Sequence, residues 1–183
     1  MITRYSTKEM SDIWSDQNKY QKWLDIEIAV CEAWAHYGFV PKKSLNNIKK
    51  KANFNVKKIN KIEKVVKHDV IAFTTNLAEY IGHDSRFIHL GLTSSDVLDT
   101  AFSLQIKESG NLILDEVNEF VKILTKLSRK YIETPIMGRS HGIHAEVTTF
   151  GLVVANWLDE AKRARNRLIN SIKTVSYTHL RAH

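Results

Sequence analysis

Three histidines, His68, His89 and His141, stand where the helical pattern of this 183-residue sequence starts or stops. An imidazole titrates near neutral pH, so each could give or take a proton in a reaction. Around them gather Arg4-Tyr5, Lys67-His68-Asp69, Thr93-Ser94-Ser95-Asp96 and Arg139-Ser140-His141. Helix N-termini carry free backbone N–H groups that favour anions, and Arg4 and Lys67 add full positive charges suited to phosphate or carboxylate. Brought together, these groups would make a pocket for a small polyanion with proton-transferring imidazoles beside it. Spacing alone leaves that convergence as an expectation.

Each group also has a plain structural use. Thr93-Ser94 and His68-Asp69 are ordinary ways to begin a helix, and Arg4-Tyr5 could be surface decoration. His141 and His144 lie three apart, which invites a zinc reading, as does a four-histidine set with His68 and His89. No cysteine cluster or metalloprotease pattern supports either, so no metal and no cofactor are expected. Gly138 and Gly142 flank His141 and imply a backbone that bends tightly or comes close to a ligand.

Most of the elements that must position these residues read as helices. A cap at Ser6-Thr7-Lys8-Glu9 opens a short first helix. Asp16 can cap a longer second one carrying Tyr20, Trp23, Leu24, Glu27, Ile28, Cys31, Trp34 and Ala35 on one stripe. Gly38 and Pro41 end it. One or two short helices reach Val66, and another runs from about Asp69 to Tyr80 with Val70, Ile71, Phe73, Leu77 and Ile81 inward. From Thr93 the period continues for about thirty-five residues, as in helical bundles. Pro135 stops it, and a last helix starts near Thr148. No alternating strand pattern competes, so the fold class is all-α. A small amino-terminal helical domain over 1–92 is followed by the start of a long-helix bundle over 93–174.

Composition narrows the function classes. The formal charge is +7, but residues 42–67 hold ten lysines against one acid, Glu63, leaving the remainder close to neutral. Those lysines alternate with Leu45, Ile48, Phe54, Ile59, Ile62, Val65 and Val66 as on solvated faces of amphipathic helices, without the interleaved arginine or aromatic residues of a nucleic-acid platform. Nucleic-acid binding is therefore not expected. A single cysteine, Cys31, set among apolar residues, reads as a buried inert thiol and suits a reducing cytoplasm. No stretch approaches a membrane span.

The final residues 175–183, "VSYTHLRAH", break the preceding period and match a translated library-adapter sequence, so they are expected to be a non-native tail without function. On that reading native sequence stops near Thr174 and the chain is a fragment. Two long helices also lack partners for their apolar faces.

The stretches "MITRYSTKEMSDIW", "KHDVIAFTTNL", "HLGLTSSDVLDTA" and "MGRSHGIHAEVTTFG" resemble, in order and spacing, the amino-terminal part of the adenylosuccinate lyase family of the fumarase/aspartase superfamily. The similarity runs from Met1 to about Thr174. It implies helical homotetramers whose active sites draw on three subunits. It also implies a carbon–nitrogen lyase of purine biosynthesis that releases fumarate from adenylosuccinate, giving AMP, and from SAICAR, giving AICAR. By the family pattern Arg4, Tyr5, Lys67, His68, Asp69, His89, Thr93 and Ser94 hold substrate, and His141 is the general acid. His68 would orient the phosphate or support the protonated state of His141, and counts with it as catalytic.

The family's base is a serine on a mobile loop far towards the carboxyl terminus, which nothing here matches, so the chain alone is expected to be inactive and poorly soluble. Lys67 stands where arginine is frequent and Val147 where proline is frequent. Lysine keeps the charge at position 67 but loses the bidentate geometry. The alternatives are another lyase of the superfamily, or a non-catalytic helical interaction module with structural histidines.

Overall fold

The computed structural model describes residues 3–175, and helices make up nearly all of their regular structure. After a 3₁₀ turn at Thr3–Tyr5 come α1 (Lys8–Ile13), α2 (Asp16–His36), α3 (Lys42–Lys51), α4 (Val56–Val66) and α5 (Asp69–Ile81). A 3₁₀ segment, Gly82–Phe87, leads by a short connector to α6 (Ser94–Lys130), which is 37 residues long. Strands β1 (Pro135–Ser140) and β2 (Ile143–Thr149) precede α7 (Phe150–Val175). The tail expected to be non-native lies outside the described residues except for Val175, the last residue of α7.

The all-α fold class holds, with one small addition. The expectation of no strand fails at Pro135–Thr149, where two antiparallel strands form a hairpin. Ser140 pairs with Ile143, so the loop is only His141-Gly142, and both residues have positive φ, 51° and 79°. That is the backbone of a type I′ turn, whose twist matches that of paired strands. Gly138 sits at the register irregularity between Met137 and Arg139, where a Cβ would lie 2.7 Å from the Glu146 carbonyl oxygen. The absence of a side chain lets the strands close.

Other local corrections are smaller. The first helix is capped by Thr7, whose Oγ1 accepts from Met10 N at 3.3 Å, and the second by Ser15, whose Oγ accepts from Asn18 N at 3.1 Å, rather than by Ser6 and Asp16. Ile71 is 49% exposed, because it lies on the first turn of α5 on the side away from Val70 and Phe73.

The described residues form two compact units, one reaching Ile106 and one beginning at Lys107, so the division falls within α6. In the first, Tyr20, Trp23, Phe54, Phe73, Ile48, Ile59, Leu77 and Val97 form the centre of a buried cluster. Tyr20 stacks on Phe73 with ring centroids 5.7 Å apart, and Trp23 meets the same ring edge-on at 5.4 Å. Such aromatic pairs add about 0.5–1.5 kcal/mol each beyond the area they bury. Val97, Ala101 and Gln105 recur every four residues as the buried stripe of early α6. All ten lysines of residues 42–67 are exposed, and Lys49 and Lys58 pair with Glu32 and Glu79 at 2.6 and 2.7 Å.

In the second unit, later α6 and α7 bury Leu124, Val154 and Leu158 between them. Arg165 Nε donates to Asn118 Oδ1 at 2.6 Å. The backbones come close at Gly151, where a Cβ would meet Ile132 Cα, Ile132 N and Ser128 O at 2.6–2.7 Å. Gly110 makes room in the same way for the Ile172 side chain, so this glycine is a packing notch in α6.

Candidate functional site

The candidate residues lie at element ends. Arg4, Tyr5, Lys67, His68, Asp69, His89, Thr93 and Ser94 belong to the first unit and His141 to the second. Arg4 and Tyr5 are exposed on the first 3₁₀ turn, with the guanidinium carbon 4.8 Å from the Tyr5 ring centroid. That cation–π contact leaves both polar ends open to solvent.

Lys67 ends α4 in the left-handed conformation (φ 56°), and its N–H donates to the Glu63 carbonyl at 2.8 Å. His68 follows as the N-cap of α5: Nδ1 accepts from Ile71 N at 3.4 Å. The same nitrogen lies 3.4 Å from Asp69 Oδ1. An unprotonated Nδ1 can cap the helix, whereas a protonated one must turn to the carboxylate, so the capping contact and the ion pair exclude each other. Asp69 also accepts from Val70 N at 2.7 Å. The result is a half-exposed imidazole at a helix start, beside an exposed ammonium on an open groove that Asn60, Glu63 and Lys64 also line.

His89 is held from beneath. Its backbone N–H donates to Glu27 Oε2 and its Nδ1 lies against Glu27 Oε1, both at 2.7 Å. Its φ is 61°. The segment around it is fixed by α2 at two further points: Cys31 Sγ donates to the Phe87 carbonyl at 3.3 Å, and Trp34 Nε1 donates to the Leu90 carbonyl at 2.8 Å. Gly91 (φ 75°) lies against the same indole, where a Cβ would be 3.1 Å from Trp34 Cζ2. Burial pushes the Cys31 thiol up to about 11, with the Glu27 and Glu32 charges adding to the effect, as suits an inert thiol.

Thr93 and Ser94 begin α6, and the Thr93 N–H donates to Asp96 Oδ2 at 2.7 Å, the returning half of a capping box. His141 is the first residue of the hairpin turn and is exposed, with Arg139 Nη1 donating to the Gly142 carbonyl at 3.3 Å across the tip. Among the described residues no group of three or more histidine, cysteine or carboxylate side chains is placed to hold a metal ion. No helix among them is long and apolar enough to cross a membrane.

Glu27 is the partner of His89 that sequence reasoning passed over. It was legible as a charged residue inside the apolar stripe of α2, between Trp23 and Cys31, and it is fully buried. A carboxylate in such a place requires a partner, but its partner lies 62 residues away.

The profile of the lyase family matches residues 3–182. Adenylosuccinate lyases of Aquifex aeolicus, Synechocystis sp. and Thermotoga maritima are 47%, 48% and 45% identical to the chain over 96–97% of its length. The chain spans 41% of the length of each of these relatives. Among solved structures, a fumarate lyase from Mesorhizobium sp. BNC1 superposes with a TM-score of 0.86 at 26% identity, covering 93% of this chain and 41% of that one. A 3-carboxy-cis,cis-muconate lactonizing enzyme from Pseudomonas putida superposes with a TM-score of 0.81 at 27% identity, covering 92% and 40%.

Proposed function

The chain belongs to the lyase family, and from that premise we propose that it is the amino-terminal part of an adenylosuccinate lyase. The whole protein eliminates fumarate from adenylosuccinate to give AMP and from SAICAR to give AICAR, in the cytoplasm and as a homotetramer. Identity of 45–48% to adenylosuccinate lyases, against 26–27% to the fumarate lyase and the lactonizing enzyme, favours the purine substrates over other eliminations on this fold. Exposed Ile113, Phe120 and Ile123 on α6 and Leu152 and Trp157 on α7 favour assembly with further helices.

One observation carries the reading of the site. Among the described residues, the non-glycine positions with positive φ are Lys67, His89 and His141, and all three are candidate site residues. A left-handed conformation costs an L-residue about 1–2 kcal/mol, and glycine adopts it freely. At the end of α4 and in a two-residue hairpin turn, glycine or asparagine is the cheaper choice. Retaining lysine and histidine there makes sense if their side chains are used.

In the reaction a base removes a proton from the carbon beside one succinyl carboxylate, and the resulting negative charge spreads into that carboxylate. The C–N bond then breaks, and the departing nitrogen needs a proton. His141, exposed on a tightly specified turn, supplies it as imidazolium, a role worth about 10²–10⁴ in rate. Arg4, Lys67 and the N-terminal groups at Thr93 and Ser94 hold the anionic parts of the substrate, with Tyr5, His68, Asp69 and His89 beside them. His68 orients the phosphate or supports the charge on His141.

The test is His141→Ala in the whole protein, with fumarate release followed by ultraviolet absorbance and substrate affinity measured separately. Turnover is expected to disappear while binding largely persists. His141→Gly, which fits the turn without strain, serves as the folding control and is expected to be equally inactive. Near-parental turnover in either variant would remove His141 from the acid role. The 183-residue chain by itself is expected to release no fumarate.

A further inference from the structure

We propose that Glu27 is a positioning residue that holds His89 in one tautomer and orientation, with Nε2 turned outward as a proton acceptor. This rests on the reading of His89 as a residue of the lyase site.

Glu27, Cys31 and Trp34 lie at i, i+4 and i+7 on one face of α2, and each bonds the segment Phe87–Leu90. Cys31 and Trp34 bind only backbone carbonyls, so they fix the path of the chain. Glu27 does something different. One of its oxygens takes the His89 backbone N–H and the other faces the His89 ring nitrogen, both at 2.7 Å. The carboxylate therefore ties the ring to its own main chain, and the ring cannot turn over without losing a bond.

An ionised carboxylate only accepts hydrogen bonds, so Nδ1 must carry the hydrogen. In the neutral ring that leaves the lone pair on Nε2. The Glu27 side chain has no exposed surface while that of His89 keeps 26%, so the exposed part of the ring is the part away from the carboxylate. While its Nδ1 accepts from the Ile71 N–H, His68 has the opposite arrangement, with the hydrogen left on Nε2. The two histidines thus offer complementary outward groups, an acceptor at His89 and a donor at His68.

Stability alone gives no reason for this design. A buried carboxylate among Trp23, Leu24 and Cys31 is a costly way to anchor a turn that two other bonds from α2 already secure. An apolar residue at position 27 with glycine at position 89 would form the same connector with less strain.

The experiment uses the whole protein with Glu27→Gln, His89→Asn and the double variant. Glutamine keeps the shape and can accept from His89 N, but its amide N–H faces Nδ1 and moves the ring hydrogen to Nε2. Turnover of Glu27→Gln is expected to fall on the order of 10- to 100-fold with little change in melting temperature, as when the orienting partner of a ligating histidine is removed. Its pH–rate profile should shift, and the substitution should cost nothing more in the His89→Asn background. Nitrogen-15 NMR of His89 should place the hydrogen on Nδ1 in the parent and on Nε2 in Glu27→Gln.

Losses that multiply in the double variant, or an Nε2–H tautomer in the parent, would overturn the positioning role, and the second readout does not depend on any variant folding. Undiminished turnover in His89→Asn alone would instead overturn the site reading of His89 and the proposal with it.

Discussion

Two helical glycines in the second unit predict unequal responses to the same substitution. In Gly151→Ala the new methyl would lie 2.6–2.7 Å from Ile132 Cα, Ile132 N and Ser128 O, all backbone atoms of α6 and its end. Neither side can give way easily. Gly151 N donates to the Tyr131 carbonyl and Phe150 N to the Thr134 carbonyl, both at 2.8 Å, so the two chains are pinned where the methyl must enter. Overpacking of this kind costs about 1–3 kcal/mol, and rigid neighbours put it at the upper end. The offsetting gain in helix propensity is at most about 1 kcal/mol, less at the second residue of a helix.

In Gly110→Ala the nearest atoms are Cγ1 and Cδ1 of Ile172 at 2.6 and 3.0 Å, a side chain with 9% of its surface exposed. Moving it off its rotamer costs about 0.5–1.5 kcal/mol, which the helix gain in mid-α6 roughly cancels. The two variants should therefore differ by about 2 kcal/mol, or ~4–8 °C in Tm for a chain of this size, with Gly151→Ala the lower. Thermal melts followed by far-ultraviolet circular dichroism measure it. If Gly151→Ala melts at or above the parent, the close α6–α7 approach at Gly151 is refuted.

The remaining predictions concern the first unit. Cys31, buried and pushed up to about 11, should resist a thiol-reactive dye in native buffer and react at once in denaturant; labelling at the rate of a free cysteine without denaturant would contradict the packing of α2 on Phe87. The hydrogen bond and ion pair from Lys58 hold Glu79 below its ordinary value of 4.5, and hydrogen bonds from Ser44 and Asn47 hold Asp84 below 3.8. Folding thus favours the ionised forms, so their contribution is complete above those ordinary values and is lost as pH falls through the depressed ones. The melting temperature should drop on acidification below about pH 4.5, and the double variant Glu79→Gln, Asp84→Asn should flatten that drop; an unchanged acid slope would dissociate these contacts from it.

What was legible in the sequence was whatever repeats at the helical period. The bounds of α2, α5 and α6 follow from apolar spacing and end signals, because the cores they face are built from residues three and four apart. The hairpin escaped because its strands are short and largely exposed, so alternation is weak, and because its turn carries histidine where asparagine, aspartate or glycine is the usual mark. The same fact makes it informative. Periodicity concerns which face a side chain occupies and is blind to the sign of φ, so the sequence could point to Lys67, His89 and His141 only through their chemistry.

Their shared left-handed backbone is an independent property, and its coincidence with the chemical choice is hard to ascribe to capping or turn formation, which cheaper residues would serve. Glu27 extends the argument. Its position in the stripe was visible, but its purpose depended on a connector that returns to α2 sixty-two residues later. Non-local pairing of this kind, in which a buried charge meets a strained histidine, cannot be read from local pattern, and it is where the fold departs furthest from what stability alone would select.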